Sequence, residues 1–197
     1  MASHHGILAV LQALRERLAI RMAVRLGGNP QVEILGSHTL AGTPQPNTDT
    51  LGLYLHRISV DPFSRNRHLP AVEGRRLPRP ELPVNLHLLL IAWCTHTEQE
   101  IEYLSTAIRI VGGGLPLTSG DLSLADPSWG EEDSVQVMPE EMSTEDLMRL
   151  WDSLPGDYRL SAPYLVKTVR LAPDIDPAEG PPVRTLVFPM DDGARTR

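Results

Sequence analysis

Residues 85–100, NLHLLLIAWCTHTEQE, hold two histidines, the chain's single cysteine and two glutamates. Imidazole, thiolate and carboxylate are the ligands of zinc, and a thiol beside a base is a nucleophile. The spacing argues against both. Residues 83–93 read as a strand, and side chains alternate faces along a strand. His87 then shares a face with Leu89, Ile91 and Trp93, while Cys94, seven positions on, joins Leu86, Leu88, Leu90 and Ala92 on the other. His96 falls at a strand-to-helix corner. Glu98 and Glu100 fall in a first helical turn, where the helix dipole favours acids and where Thr97 and Glu100 have capping-box spacing. The stretch reads as a satisfied strand histidine, a buried thiol and a capped helix.

Other constellations lack a needed group. The glycine run GGGLPLTSG has no Gly-Lys-Ser/Thr ending, and the only lysine, Lys167, lies in a strand far from it. Lys167 is the sole Schiff-base candidate and reads as a solvated strand residue. No HExxH or G-x-S-x-G occurs. His4 and His5 are adjacent near the terminus. Gly36-Ser37-His38 sets a hydroxyl beside an imidazole, yet neighbours in an extended chain point apart. DIDPAEG at 174–180 has Ala178 where a calcium loop needs its third oxygen ligand. Glu131, Glu132 and Asp133 read as a solvated loop. No residue is therefore assigned as catalytic, metal-binding or cofactor-binding, and no cofactor is expected. One enzyme reading stays open. His56 and His87 can meet across paired strands, and with His68 they could serve a metal hydrolase.

The elements that must position these groups follow from composition and periodicity. A chain of 197 residues, 41% hydrophobic and 22% charged, suits one soluble globular domain with a tail. A net charge of −7 argues against a nucleic-acid binder. All the basic residues but Lys167 are arginines, which suit fixed contacts to carboxylates at interfaces. One cysteine excludes an intrachain disulfide and a CxxC zinc site. The N-terminal apolar run is interrupted by Arg15 and no stretch is long enough to span a bilayer, so the expected location is cytoplasmic, with no membrane partner.

Residues 6–26 place Ile7, Val10, Leu11, Leu14, Leu18 and Met22 on one helical stripe, stopped by Gly27, Gly28, Asn29 and Pro30. QVEIL at 31–35 has the make-up of a short strand, and 51–60 is a strand ended by Asp61-Pro62. Residues 64–82, rich in arginine and proline, read as a surface excursion. The near-continuous apolar run at 83–93 predicts a central strand. Ile101, Leu104, Ile108 and Val111 predict the core stripe of a helix ended by Gly112-Gly113-Gly114. A loop at 115–133 and a short strand SVQVM precede a third helix, STEDLMRLWDSL, capped by Ser143 and Asp146. A last strand at 158–171 holds an internal proline. Trp93 and Trp151 read as core, whereas Trp129 in LADPSWGEED either folds back or packs on a partner. The expected fold is α+β, a mostly antiparallel sheet of four to five strands on two or three helices. Residues 1–172 form that domain, and 173–197 are an acidic, proline-rich tail in which only RTLVFPM could still pair.

Three segments carry a resemblance. The strand GLYLHRISVDPFSRN ends in Arg65-Asn66, LPVNLHLLLIAW feeds a helix, and MSTEDLMRLWDSLPGDYRLSAPYLV runs the Trp151 helix into a Tyr-Arg-Leu-Ser strand. Over residues 6–172 the chain resembles the N-terminal domain of the tail-terminator, or cap, proteins of extracellular contractile injection systems. The resemblance implies a tail-terminator-like fold and a structural role without catalysis. It implies a homo-hexameric ring that ends the inner tube and fastens it to the sheath, assembled in the cytoplasm into a particle. Its partners would be other copies, the tube protein and the sheath protein. Many members of that family carry more sequence after this domain, whereas 25 residues follow here, which puts in doubt any job carried by such an extension. The segments expected to do the joining are 64–82, 115–133 and the tail from Pro173. A scaffold or adaptor unrelated to injection particles is the alternative.

Overall fold

The computed structural model describes residues 2–40, 49–63, 81–154 and 157–172. The Arg65-Asn66 turn, His68, most of the excursion and the tail with DIDPAEG and RTLVFPM lie outside them.

Helix α1 (Gly6–Leu26) leads to β1 (Gln31–Leu35), the single turn α2 (Ser37–Leu40) and β2 (Thr50–Val60). Next come β3 (Leu82–Trp93), α3 (Thr97–Val111), the two-residue β4 (Leu117–Thr118) and the single turn α4 (Ser119–Leu122). The chain then forms β5 (Ser134–Pro139), α5 (Thr144–Asp152) and β6 (Ser161–Leu171). The sheet has six strands in the order β1-β2-β3-β6-β5-β4. It is mixed: β1 runs parallel to β2, and the other pairs are antiparallel. The α+β class holds, but the count of four to five strands falls short. Five-residue β1 and two-residue β4 are too short for alternation to reveal a partner or its direction.

β3 is central as its apolar run requires. Its even positions Val84, Leu86, Leu88 and Leu90 face a core built with α1 (Val10, Leu14, Leu18, Met22) and α3 (Leu104, Ala107, Ile110). Its odd positions Leu89, Ile91 and Trp93 face a smaller core with Tyr54, Leu35, Leu40 and Trp151 of α5. Each fully buried leucine contributes roughly 1.5–3 kcal/mol. The molecule is thus a three-layer sandwich, with α1 and α3 on one face of the sheet and α2 and α5 on the other.

The α1 stripe is buried as expected, except that Ile7 is half-buried at its edge. Gly27 stops the helix at φ 75° and donates its N–H to Ala23 O, a conformation that costs a residue with Cβ more than glycine. Ser143 caps α5, its Oγ accepting from Asp146 N at 3.0 Å.

Two local readings are corrected at α3. The N-cap is His96, one residue before Thr97, and no side chain caps the first turn. The core stripe is Leu104, Ala107, Ile110 and Val111, leaving Ile101 55% and Ile108 40% exposed. Periodicity marks an apolar face, but not which flank of it a neighbour covers. The capping box that does form joins Thr118 and Asp121 at α4, inside the segment read as a loop.

That segment, 115–133, is packed on its own domain. Leu117, Leu122 and Trp129 are buried. Arg17 of α1 holds it by donating to Leu115 O (2.7 Å), Pro116 O (2.8 Å) and Asp121 Oδ2 (2.7 Å). Asp126, 3% exposed, accepts from Ser3 N and Oγ (3.0 and 2.9 Å) and from Ser128 N and Oγ (3.0 and 2.6 Å). Burial pushes its carboxyl up, but the hydrogen bonds from Ser128 and Ser3 outweigh this, and its pKa lies below the ordinary value. Trp129 therefore folds back onto the domain.

Candidate functional site

The structure does not gather the groups of 85–100. His87 is buried on the α5 face of β3, and Cys94 is buried beyond the end of that strand. Burial first, then the charges of Asp49 and Glu100, pushes the Cys94 thiol up to about 11, so at neutral pH it is a protonated thiol and a poor nucleophile. His96 and Glu98 are exposed. Ser37 Oγ lies 3.4 Å from Tyr54 Oη. Lys167 is exposed in β6. Among the described residues no three His, Cys, Asp or Glu side chains are grouped to hold a metal ion.

One polar cluster does form, and half of it was unforeseen. His56 and His87 meet with ring centroids 6.0 Å apart, edge to face. His87 Nδ1 lies 2.6 Å from Glu140 Oε1, and Nε2 lies 2.8 Å from Ser59 Oγ. Arg57 Nη2 stands 3.4 Å from the same Glu140 oxygen. With the Nδ1 proton donated to the carboxylate, Nε2 accepts from the Ser59 hydroxyl. Ser59 and Glu140 are 28 and 53 residues from His87 in sequence, so only strand register and the turn after β5 reveal them.

Hydroxyl, imidazole and carboxylate in this order have the connectivity of a nucleophilic triad. Acyl transfer also needs N–H donors aimed at a developing oxyanion. Ser59 sits inside the β2–β3 ladder opposite Asn85, where the backbone is engaged in strand pairing. The cluster fits better as a polar clasp. It ties β2, β3 and the exit of β5 together. His56 Nε2 and Glu140 Oε2 are buried and make no hydrogen bond. Burial is the largest influence on His56 and lowers its pKa; Glu140 opposes this, and His87 and Arg57 reinforce it.

The surface carries two further features. β1 is an edge strand with no strand neighbour on its outer side among the described residues. Exposed apolar side chains gather at two places: Ile58, Val60, Phe63 and Leu82 around the end of the β2–β3 pair, and Ile20, Val24, Leu115 and Leu124 around α1 and α4.

A family model described as the Pvc16 N-terminal domain matches residues 9–185. The chain belongs to that family. The fold is also similar to two solved structures. One is the PVC sheath/tube terminator of an extracellular contractile injection system in the extended state: TM-score 0.55, 18% identity, 97% of this chain and 65% of that one. The other is the tube-terminating cap of the anti-feeding prophage: TM-score 0.57, 19% identity, 92% of this chain and 60% of that one. This Pvc16 N-terminal domain thus spans less than two thirds of the length of the terminators it matches. Among curated proteins none matches the sequence. No helix among the described residues is long and apolar enough to cross a membrane.

Proposed function

We propose that the chain is a structural cap, the tail terminator of a contractile injection particle. The observation that carries this is the match of nearly the whole chain, in fold and in family, to a domain found in a sheath/tube terminator and a tube-terminating cap. On this reading six copies form a ring that ends the inner tube and fastens it to the sheath. A tube is an array of head-to-tail contacts, and such an array grows until its last face is covered. A terminator must fit that face on one side and offer no copy of it on the other. The open β1 edge and the two apolar patches supply contact surface of the kind such joints bury.

Residues 1–172 are the terminator domain, and 173–197 are its acidic, proline-rich C-terminal tail. The role is non-enzymatic, with no catalytic, metal or cofactor residue. The polar clasp at His87 holds strands together. The partners are further copies, the tube protein and the sheath protein. Assembly takes place in the cytoplasm, and the ring leaves as part of the particle. The test is deletion in the host that makes the particles, with tube and sheath length read by negative-stain microscopy. Overlong or loosened particles support the cap. Particles of unchanged length and sheath attachment remove it and leave an unrelated scaffold as the better reading.

A further inference from the structure

The outer side of α1 is unusual for a helix end facing water. Ile20 is 61% exposed, Val24 83% and, across a groove, Leu124 79%. The groove, of about 330 Å³, has Ala13 and Gly120 among its lining residues. Small residues there leave room for inserted side chains. Arg17 fixes its two walls to each other through Asp121. On its rim Arg21 and, one turn on, Arg25 have no carboxylate partner among the described residues. The lining holds two acids, Asp121, which is paired with Arg17, and Glu16, one turn towards the helix N-terminus.

The sequence outside the described residues holds a complement. Leu186, Val187, Phe188 and Met190 form an apolar run, followed directly by Asp191 and Asp192. The point of departure also fits. Ala172 N donates to Ala2 O at 2.9 Å and Ala2 N to Arg170 O at 3.0 Å, so the tail leaves the domain beside the start of α1. From Gly6 to Ile20 the helix rises roughly 21 Å at 1.5 Å per residue. The thirteen residues from Pro173 to Thr185 are rich in proline. Extended at about 3.1 Å each they reach roughly 40 Å, enough to place the apolar run at the groove.

We propose that the groove between α1 and α4 is the docking site of this chain's own C-terminal segment, residues 186–192. Leu186, Val187, Phe188 and Met190 cover Ile20, Val24 and Leu124, and Asp191 and Asp192 meet Arg21 and Arg25. The inference does not rest on the cap reading, since a tail can seat on its own domain or on a neighbouring copy.

The test is cross-linking in the full-length chain carrying Leu124→Cys and Val187→Cys. The native Cys94 is buried and contributes little background. The control pairs Val187→Cys with Met148→Cys on α5, exposed on the opposite face of the sheet. Disulfide yield at 124–187 is expected to exceed the control roughly tenfold, one decade of docking preference. A product within one chain or between two chains supports docking equally. Adding Arg21→Glu and Arg25→Glu should cut the yield several-fold, and Asp191→Arg with Asp192→Arg should restore it. Equal yields at 124 and 148, or none at 124, overturn the proposal.

Discussion

His87 has both ring nitrogens committed, one to a carboxylate and one to a hydroxyl, inside a sheet that buries it. Truncating it removes the 2.6 Å partner of the half-buried Glu140 carboxylate and leaves only the longer contact to Arg57 at 3.4 Å. His87→Ala should therefore cost about 1–3 kcal/mol in urea unfolding. The double variant with Glu140→Ala should cost less than the sum of the two single changes, because the orphaned partner is gone. His56 makes a pH prediction. Its pKa is lower folded than the ordinary 6.5, so the unfolded chain binds its proton first as pH falls. Its effect on stability is absent well above pH 6.5 and becomes a loss as pH drops through and below that value. His56→Gln should flatten the stability profile in that window, read by thermal unfolding between pH 7.5 and about pH 5. A profile that keeps its slope would place the titration elsewhere. The face of His87 was legible from alternation alone. Its partners were not, because register across strands and the fold-back after β5 are set by packing far away in sequence.

At the scale of elements, two contacts hold the second layer and the sheet edge. Trp151 is 3% exposed, its Nε1 donates to Ser161 Oγ at 3.2 Å, and its ring meets Tyr158 edge to face with centroids 5.8 Å apart. Trp151→Ala should destabilise by about 3–5 kcal/mol, against a small effect for exposed Met148→Ala, both measured by denaturant midpoint. At the other end of the sheet a Cβ on Gly52 would run into the side chain of buried Leu35, where β1 lies against β2. Gly52→Val should cost about 1–3 kcal/mol and weaken hydrogen-exchange protection of residues 31–35 before that of β3. The long elements were readable because burial marks nine or more residues, with a helical period in α1 and α5 and a continuous apolar run in β3. The short ones were legible only in part. QVEIL was read as a strand, but five residues do not reveal that β1 pairs parallel to β2, and α4 is a single turn whose Thr118–Asp121 box lies in a stretch that reads as a loop. At α3 the apolar face was found but its buried flank was misassigned, since Ile101 and Ile108 count in a periodicity whether or not anything covers them.

At the scale of the whole molecule, a fold shared with two terminators comes with an uncovered sheet edge and two exposed apolar groups. The polar side chains at His87 join three strands, and Arg17 and Asp126 anchor the 115–133 segment. The segment resemblances in the sequence pointed to this family because they span core strands and the Trp151 helix, which the fold cannot change freely. Surfaces for joining other chains were not readable there, because a joint between subunits leaves no period in one chain. On the cap reading, contact between copies is intrinsic to this chain. Class averages of the purified full-length protein by negative-stain electron microscopy test that most directly. The predicted result is closed rings with six-fold rotational order. A population of single 21.8 kDa particles at every concentration tried, with no ring of any order, would contradict it.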